Sequence, residues 1–141
     1  MAEFLELHRA SAGSGKTYTL AKKYLWYYLT IRQDNGSRRL RTVPELNDSL
    51  SHILAITFTN KATNEMQQRI VEKLDALAFP PSGKSPDYMD DFCKELGVSP
   101  SELSRICRKA LYVMLENYSE FQVSTIDSFF QLVLRTFAYA T

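Results

Sequence analysis

Three strand patterns, each followed by a helix pattern, limit what this chain of 141 residues can fold into. Residues 4–9 alternate apolar and polar side chains, residues 53–58 form a short apolar run, and residues 121–126 return to strand character. Strands that alternate with helices are typical of an α/β domain with a parallel sheet. The length suits one such domain. The sequence therefore predicts an α/β fold with a parallel sheet flanked by helices.

The helices are predicted from apolar spacing and from capping residues. The first begins near Gly15 and continues to the turn residues 34–36, and residues 34–51 are predicted as a surface connection. Apolar residues at helical spacing predict a second helix over 62–77. Ser99, Pro100 and Glu102 form an N-terminal capping pattern that predicts another helix. A last helix follows the third strand.

Composition excludes several classes of protein. Lys and Arg number 17 against 16 Asp and Glu, so the formal charge of +1 excludes a broad electrostatic binder of nucleic acid or membranes. The longest apolar stretch, residues 129–140, is interrupted by polar side chains, which predicts no membrane partner. Cys93 and Cys107 make neither a disulfide framework nor a metal site. A reducing, cytoplasmic compartment is therefore expected.

The segment between the first strand and the first helix carries phosphate-binding chemistry. Its glycines allow a tight turn with amide hydrogens pointing inward, and the start of the helix adds partial positive charge. Lys16 would reach the β- and γ-phosphates of ATP, and the Thr17 hydroxyl would bind Mg²⁺. The general pattern G-x-x-x-x-G-K-[ST] begins with glycine, where this chain has alanine. A chance glycine- and serine-rich turn is the alternative. The segment reads Ala10, Ser11, Ala12, Gly13, Ser14, Gly15, Lys16 and Thr17.

A second cluster follows the apolar strand and reads Thr57, Phe58, Thr59, Asn60 and Lys61. Carboxyl ends of neighbouring parallel strands share one edge, so this cluster is expected beside the phosphate loop. Hydroxyl, amide and ammonium groups can bind a nucleic-acid backbone, and an exposed aromatic ring can stack on a base. The alternative is structural: Thr59 or Asn60 caps the next helix while Phe58 packs in the core.

A third cluster closes the last strand and contains Thr125, Asp127, Ser128 and Phe129. Thr125 suits a helix cap, and Asp127 suits the first turn of a helix. A second interpretation makes Asp127 a metal-binding aspartate at a strand end, but the strand is less apolar than such strands are and no acidic residue follows. The carboxylates that would hold magnesium and activate water are therefore not identified in the sequence.

The three motifs in this order resemble the beginning of a UvrD/Rep-type superfamily 1 DNA helicase of the RecB/AddA branch. Residues 10–17 resemble motif I, residues 55–70 resemble motif Ia, and residues 123–131 resemble the TIHSF-type motif, with Asp127 where histidine is frequent. The resemblance implies a P-loop, RecA-like fold. Residues 1–141 would be the amino-terminal, ATP-binding part of its first domain. Residues 78–119 would be an insertion in that domain, with its helical part around 84–119.

The resemblance also implies roles for individual residues. Ala10 to Thr17 would bind ATP, with Lys16 and Thr17 catalytic and Thr17 on Mg²⁺. Contacts to single-stranded or partly duplex DNA are implied for Thr57, Phe58, Thr59, Asn60, Lys61, Thr125, Asp127, Ser128 and Phe129.

The family's acidic motif, arginine fingers and second RecA-like domain are expected beyond residue 141. The chain by itself is then expected to have little or no ATPase, and any nuclease domain or partner subunit would belong to the full-length protein. Two other functions stay open. One is a small nucleotide kinase, in which Arg105, Arg108 and Lys109 would be lid residues rather than a solvated helix face. The other is a nucleotide-sensing module.

Overall fold

The computed structural model describes residues 6–7 and 15–140, with side chains over 17–138. These residues form five strands, six α-helices and two short 3₁₀ turns. In chain order they are β1 (Glu6–Leu7), α1 (Gly15–Leu29), β2 (Thr30–Arg32), β3 (Arg38–Leu40), α2 (Val43–Ser49), β4 (Leu54–Thr57), α3 (Asn60–Ala78), α4 (Met89–Leu96), α5 (Pro100–Glu116), β5 (Gln122–Thr125) and α6 (Ile126–Ala140).

The main sheet has three parallel strands in the order β1-β4-β5. Leu7 is paired with Ile56 on one side of β4, and Thr57 is paired with Thr125 on the other side. The predicted α/β class and the parallel arrangement of the three strands are confirmed. The carboxyl ends of the strands lie at one edge of the sheet, which we call the carboxyl edge.

A hairpin follows α1, where the sequence predicted that the helix would continue. α1 ends at Leu29, and the β-branched residues Thr30 and Ile31 pair antiparallel with β3. Gly36 supplies the positive φ of +88° that the turn requires. The extended helix prediction was wrong because β-branched residues with a nearby turn pair more favourably as strands than they continue a helix.

Residues 41–52 contain a short capped helix instead of an irregular connection. The Thr42 hydroxyl and the Glu45 carboxylate form a reciprocal capping box at the start of α2. Arg39 binds the same carboxylate through two nitrogens, each at 2.9 Å. The Arg39 guanidinium, together with the Thr42 amide, lowers the pKa of Glu45 to about 2. The hairpin and α2 are thus joined through one carboxylate.

Two long helices, α3 and α5, build much of the core. Thr59, one of the two residues that the structural alternative offered, caps α3. Ser99 caps α5 with Pro100 as its first residue, as the sequence predicts. The buried Ser104 hydroxyl on α5 donates to the carbonyl oxygen of Leu77 at 2.8 Å. The apolar face of α3 is completely buried; its central residues are Met66, Ile70, Leu74 and Leu77.

The segment between α3 and β5 is helical, with α4 and α5 in it. Gly97, in the left-handed conformation, ends α4. Asp91 on α4 forms an ion pair with Lys22 of α1, and Asp87 before α4 forms one with Lys73 of α3 at 2.6 Å. That residues 78–119 are an insertion into a larger domain stays a prediction.

The last helix, α6, begins directly after β5. Its outer residues include large apolar side chains that are exposed: Phe130, Leu132, Leu134 and Phe137.

No helix within residues 15–140 is both long enough and apolar enough to cross a membrane. Both cysteines are free thiols, and burial raises the pKa of Cys107 to about 12.

Two buried tyrosines of α1 give a matched test of the core. The Tyr28 hydroxyl donates to the carbonyl oxygen of Ala110 on α5 at 2.6 Å, whereas the buried Tyr24 hydroxyl has no partner among the residues described. Tyr28→Phe should therefore lower the free energy of unfolding by about 1 kcal/mol. Tyr24→Phe should leave it unchanged or raise it. Urea unfolding measures both; equal losses in the two variants would contradict the assignment.

Candidate functional site

The carboxyl edge brings the second and third sequence clusters together. Ile56 is paired with Ser124 and Thr57 with Thr125, so the residues that follow β4 and β5 begin side by side. β1 lies on the opposite side of β4, with Leu7 paired to Ile56. The segments that follow all three strands therefore start from one edge, which is where the sequence predicted the functional residues.

Thr57 holds this edge together from inside the protein. Its side chain is completely buried. Its hydroxyl oxygen lies 2.5 Å from the Thr63 hydroxyl on α3, and 3.3 and 3.4 Å from the carbonyl oxygens of Thr59 and Ser124. The end of β4 is thereby connected to α3 and to β5, which fixes the position of the residues that follow.

The residues after Thr57 have different environments. The Thr59 hydroxyl accepts the Ala62 amide hydrogen at 3.0 Å, so Thr59 is the helix cap that one interpretation of the sequence predicted. Phe58, in contrast, is 43% exposed and does not belong to the core. Asn60 and Lys61 are exposed in the first turn of α3, which contains no acidic residue. The helix start is thus favourable for an anion.

The third cluster begins α6 at the same edge. The Thr125 hydroxyl accepts the Ser128 amide hydrogen at 3.2 Å and lies 2.9 Å from the Ser128 hydroxyl. Asp127 is exposed in the first turn of α6, where the helix dipole stabilises a carboxylate. Phe129 is half-buried beside Phe130, with the ring centroids 6.3 Å apart. The cap and first-turn roles predicted for Thr125 and Asp127 are confirmed as local structure.

The predicted phosphate loop is described only at its end, because Ala10, Ser11, Ala12, Gly13 and Ser14 lie outside the described residues. α1 begins at Gly15, as predicted, and no acidic residue lies in its first turn. The Thr17 side chain is buried there. A helix start without carboxylates after a strand at the carboxyl edge is compatible with a nucleotide phosphate, and a threonine hydroxyl is a group that can bind magnesium.

No group of three His, Cys, Asp or Glu side chains comes together as a metal site within residues 17–138. Magnesium bound by phosphate oxygens needs few protein ligands, since the ion keeps several waters. The residues present are therefore compatible with Mg²⁺ carried by a nucleotide.

Tyr88 contacts the first turn of α1, and the sequence did not predict this contact. The Tyr88 hydroxyl donates to the Tyr18 carbonyl oxygen at 2.7 Å, and the two rings meet edge to face with centroids 4.9 Å apart. Tyr88 has a φ of +74°, which is unusual for a residue with a side chain. Burial raises the pKa of its hydroxyl. The polar sequence around Tyr88 gave no signal of this contact.

The three cations considered as lid residues lie away from the carboxyl edge. Arg108 donates to the carbonyl oxygen of Ala78 at 3.2 Å. Ala78 ends α3, which begins at the edge, so this contact is about 27 Å along that helix from its start. Arg105 and Lys109 lie on the same exposed side of α5. The geometry does not favour a lid over the predicted nucleotide loop.

Loss of the Tyr88 hydroxyl should loosen α1, the helix that follows the predicted phosphate loop. In Tyr88→Phe, we expect faster hydrogen exchange of amides in the first two turns of α1, because the Tyr18 carbonyl loses a partner, with α3 unchanged. Tyr112→Phe is the control, since Tyr112 is exposed on α5. Equal exchange in both variants would show that the contact does not hold the helix.

Comparison with known proteins gives the chain a family. The model of the UvrD/REP helicase N-terminal domain matches residues 7–141. The RecBCD enzyme subunit RecB of Haemophilus influenzae is 32% identical over 141 residues, which cover 96% of this chain and 11% of that protein. An ATP-dependent helicase/nuclease subunit of Bacillus pumilus is 32% identical over 130 residues, covering 92% of this chain and 8% of that protein.

A further relative is the RecBCD enzyme subunit RecB of Buchnera aphidicola, which is 30% identical over 136 residues, covering 93% of this chain and 10% of that protein. The chain thus spans about a tenth of the length of the curated relatives it matches. No solved structure matches it.

Proposed function

Because this chain belongs to the UvrD/REP helicase N-terminal domain family, we propose that it is the ATP-binding, amino-terminal part of a DNA helicase or of one subunit in a helicase–nuclease. The parent protein would use ATP to translocate on single-stranded DNA. The observation that carries the proposal is the register of β4 and β5, which brings the residues after Thr57 beside the cap at Thr125. The relatives named as RecB or as a helicase/nuclease subunit support the same assignment.

The proposed architecture is a partial RecA-like domain with a helical insertion over 78–119. Its support is the parallel sheet β1-β4-β5, with α3 following β4 and the helices α4 and α5 before β5. The segment before α1 would be a Walker A loop, since it leaves β1 at the carboxyl edge and ends where α1 begins.

In the nucleotide site, residues 10–17 would surround the phosphates of ATP. The amides at the start of α1 and the Lys16 ammonium would stabilise negative charge, and the Thr17 hydroxyl would hold Mg²⁺. The metal supplies charge neutralisation at the phosphate oxygens. The protein's part is to fix these groups on a helix that is itself held at Tyr18 by Tyr88.

In the DNA site, exposed and buried residues would have separate tasks. Phe58 would stack on a base, and Asn60 and Lys61 would bind the backbone at the start of α3. Thr57, Thr59 and Thr125 would position the residues that contact DNA, since the hydroxyl of each is hydrogen-bonded within the protein. Asp127, Ser128 and Phe129 complete the edge, and the Asp127 carboxylate would keep phosphates away from the start of α6.

We propose that the chain alone binds nucleotide but hydrolyses little or none of it. It covers about a tenth of the length of its relatives, and the proposed motor would hydrolyse ATP between two RecA-like domains. A nuclease domain or a partner subunit would belong to the parent protein.

Replacement of Lys16 tests the nucleotide site. Lys16→Ala should weaken ATP binding roughly tenfold or more, because a charge-assisted contact to the phosphates is lost. Calorimetry with Mg²⁺ and ATP measures the affinity. Lys94→Ala, at an exposed position on α4, is the matched control. Unchanged affinity in Lys16→Ala would remove this residue from the site.

Replacement of Phe58 tests the DNA site. Phe58→Ala should weaken binding of a labelled single-stranded oligonucleotide about tenfold, the expected loss for one stacked base. Fluorescence anisotropy at low salt measures the affinity. Phe79→Ala is the control, because Phe79 is also exposed but caps the opposite end of α3. Similar losses in both variants would contradict a specific role for Phe58.

A further inference from the structure

A groove between α2 and α5 has the composition expected of a second anion-binding surface. Its volume is about 440 Å³. One wall is the start of α2, and the other is the outer face of α5 over two turns. Three of its residues are cationic and the others are valine or tyrosine; they are Val43, Arg105, Arg108, Lys109, Tyr112 and Val113.

The three cations of the groove differ from several others on the surface in how they are paired. Within residues 17–138, Lys22, Arg39 and Lys73 each form an ion pair with a carboxylate. In that same part of the chain, none of the groove cations forms one. Arg108 donates to the carbonyl oxygen of Ala78 at the end of α3, which places its guanidinium without neutralising it.

The cations are also close together. Arg105, Arg108 and Lys109 are three and four residues apart on one helix, so they share a face and span about 6 Å along its axis. Of the nearby carboxylates, Glu45 is already bound to Arg39, Glu116 raises the pKa of the Tyr112 hydroxyl, and Glu102 lies three residues before Arg105 on the same helix. Positive charge is thus concentrated here in a chain whose formal net charge is +1.

An aromatic ring and an apolar side chain lie beside these charges. Tyr112 is 63% exposed and follows Lys109 by three residues on the same face of α5. Val43, 37% exposed, lies on the facing wall. Cations combined with an exposed aromatic ring are typical of surfaces that bind single-stranded nucleic acid. The cationic side chains bind the phosphates, and a base stacks on the ring.

The groove is separate from the carboxyl edge. The chain reaches α2 from the far end of α1, where the Arg41 amide donates to the Leu29 carbonyl oxygen at 2.9 Å. Gly15, at the other end of α1, is about 21 Å away along the helix. A strand held in the groove would therefore lie at the opposite end of α1 from Gly15.

We propose that the groove between α2 and α5 is a second binding site for single-stranded nucleic acid, with Arg105, Arg108 and Lys109 on backbone phosphates and Tyr112 on a base. The choice of nucleic acid over an acidic peptide rests on the proposed function together with the exposed ring. The site would hold a second nucleic-acid strand, or a further part of the strand that is bound at the carboxyl edge.

The experiment compares charge variants of the whole chain by fluorescence anisotropy with a labelled oligothymidylate over a series of salt concentrations. Phe58→Ala serves as the background, so that loss of the carboxyl-edge contact does not hide the groove. To it we add either Arg105→Gln with Lys109→Gln, or Lys84→Gln with Lys94→Gln. The second pair removes the same charge from exposed positions outside the groove.

If the groove binds the strand, removal of Arg105 and Lys109 lowers the dependence of log affinity on log salt by about 1.4, since each phosphate contact on a single strand contributes about 0.7. The Lys84 and Lys94 pair leaves this slope unchanged. Tyr112→Ala weakens binding about tenfold with an unchanged slope, because stacking carries no charge.

Three results would overturn the proposal: no residual binding by Phe58→Ala, equal changes of slope in the two charge pairs, or a short polyglutamate peptide that binds the groove as tightly as the oligonucleotide. The first result leaves the carboxyl-edge site standing. Failure of the proposed function gives a different pattern, in which Phe58→Ala binds DNA as well as the unmodified chain does while the groove variants still reduce binding.

Discussion

β4 forms a parallel ladder with β1 on one side and with β5 on the other, and every proposed contact at the carboxyl edge depends on the register of those two ladders. A shift of one residue would turn every side chain of the shifted strand to the opposite face of the sheet. It would also separate the buried Thr57 hydroxyl from its partners, which connect the end of β4 to α3 and to β5. Phe58, the residue that follows Thr57, lies at the surface.

The helices behind the sheet give this edge its rigidity and also create the second surface. α3 starts at the edge and ends against α5, where Ser104 and Arg108 of α5 bind its last carbonyl oxygens. The same packing buries the apolar face of α5 and leaves its cationic face outward beside α2. The α3–α5 pair therefore supports the proposed nucleotide and DNA edge and also presents the groove that we propose binds anions.

Much of this fold follows from local sequence signals. The three strands, the start of α5 at Ser99 and the cap at Thr59 are where residue pattern and capping chemistry predict them. The hairpin after α1 was missed, because its strands are three residues each and a short pattern does not separate strand from helix. For the site, the pattern predicted the shared edge, but it left two interpretations of Phe58 that only its surroundings could separate.

The sequence alone determined which chemical groups follow each strand, because strand and helix periodicity and caps act between residues a few positions apart. It also determined that bulk charge cannot drive binding. The tertiary structure decided what depends on distant neighbours: that Thr57 is buried while Phe58 is exposed, that Tyr88 reaches Tyr18, and that the cations of α5 line a groove beside α2. Burial and pairing are properties of two surfaces in contact, and those surfaces meet only when the chain has folded.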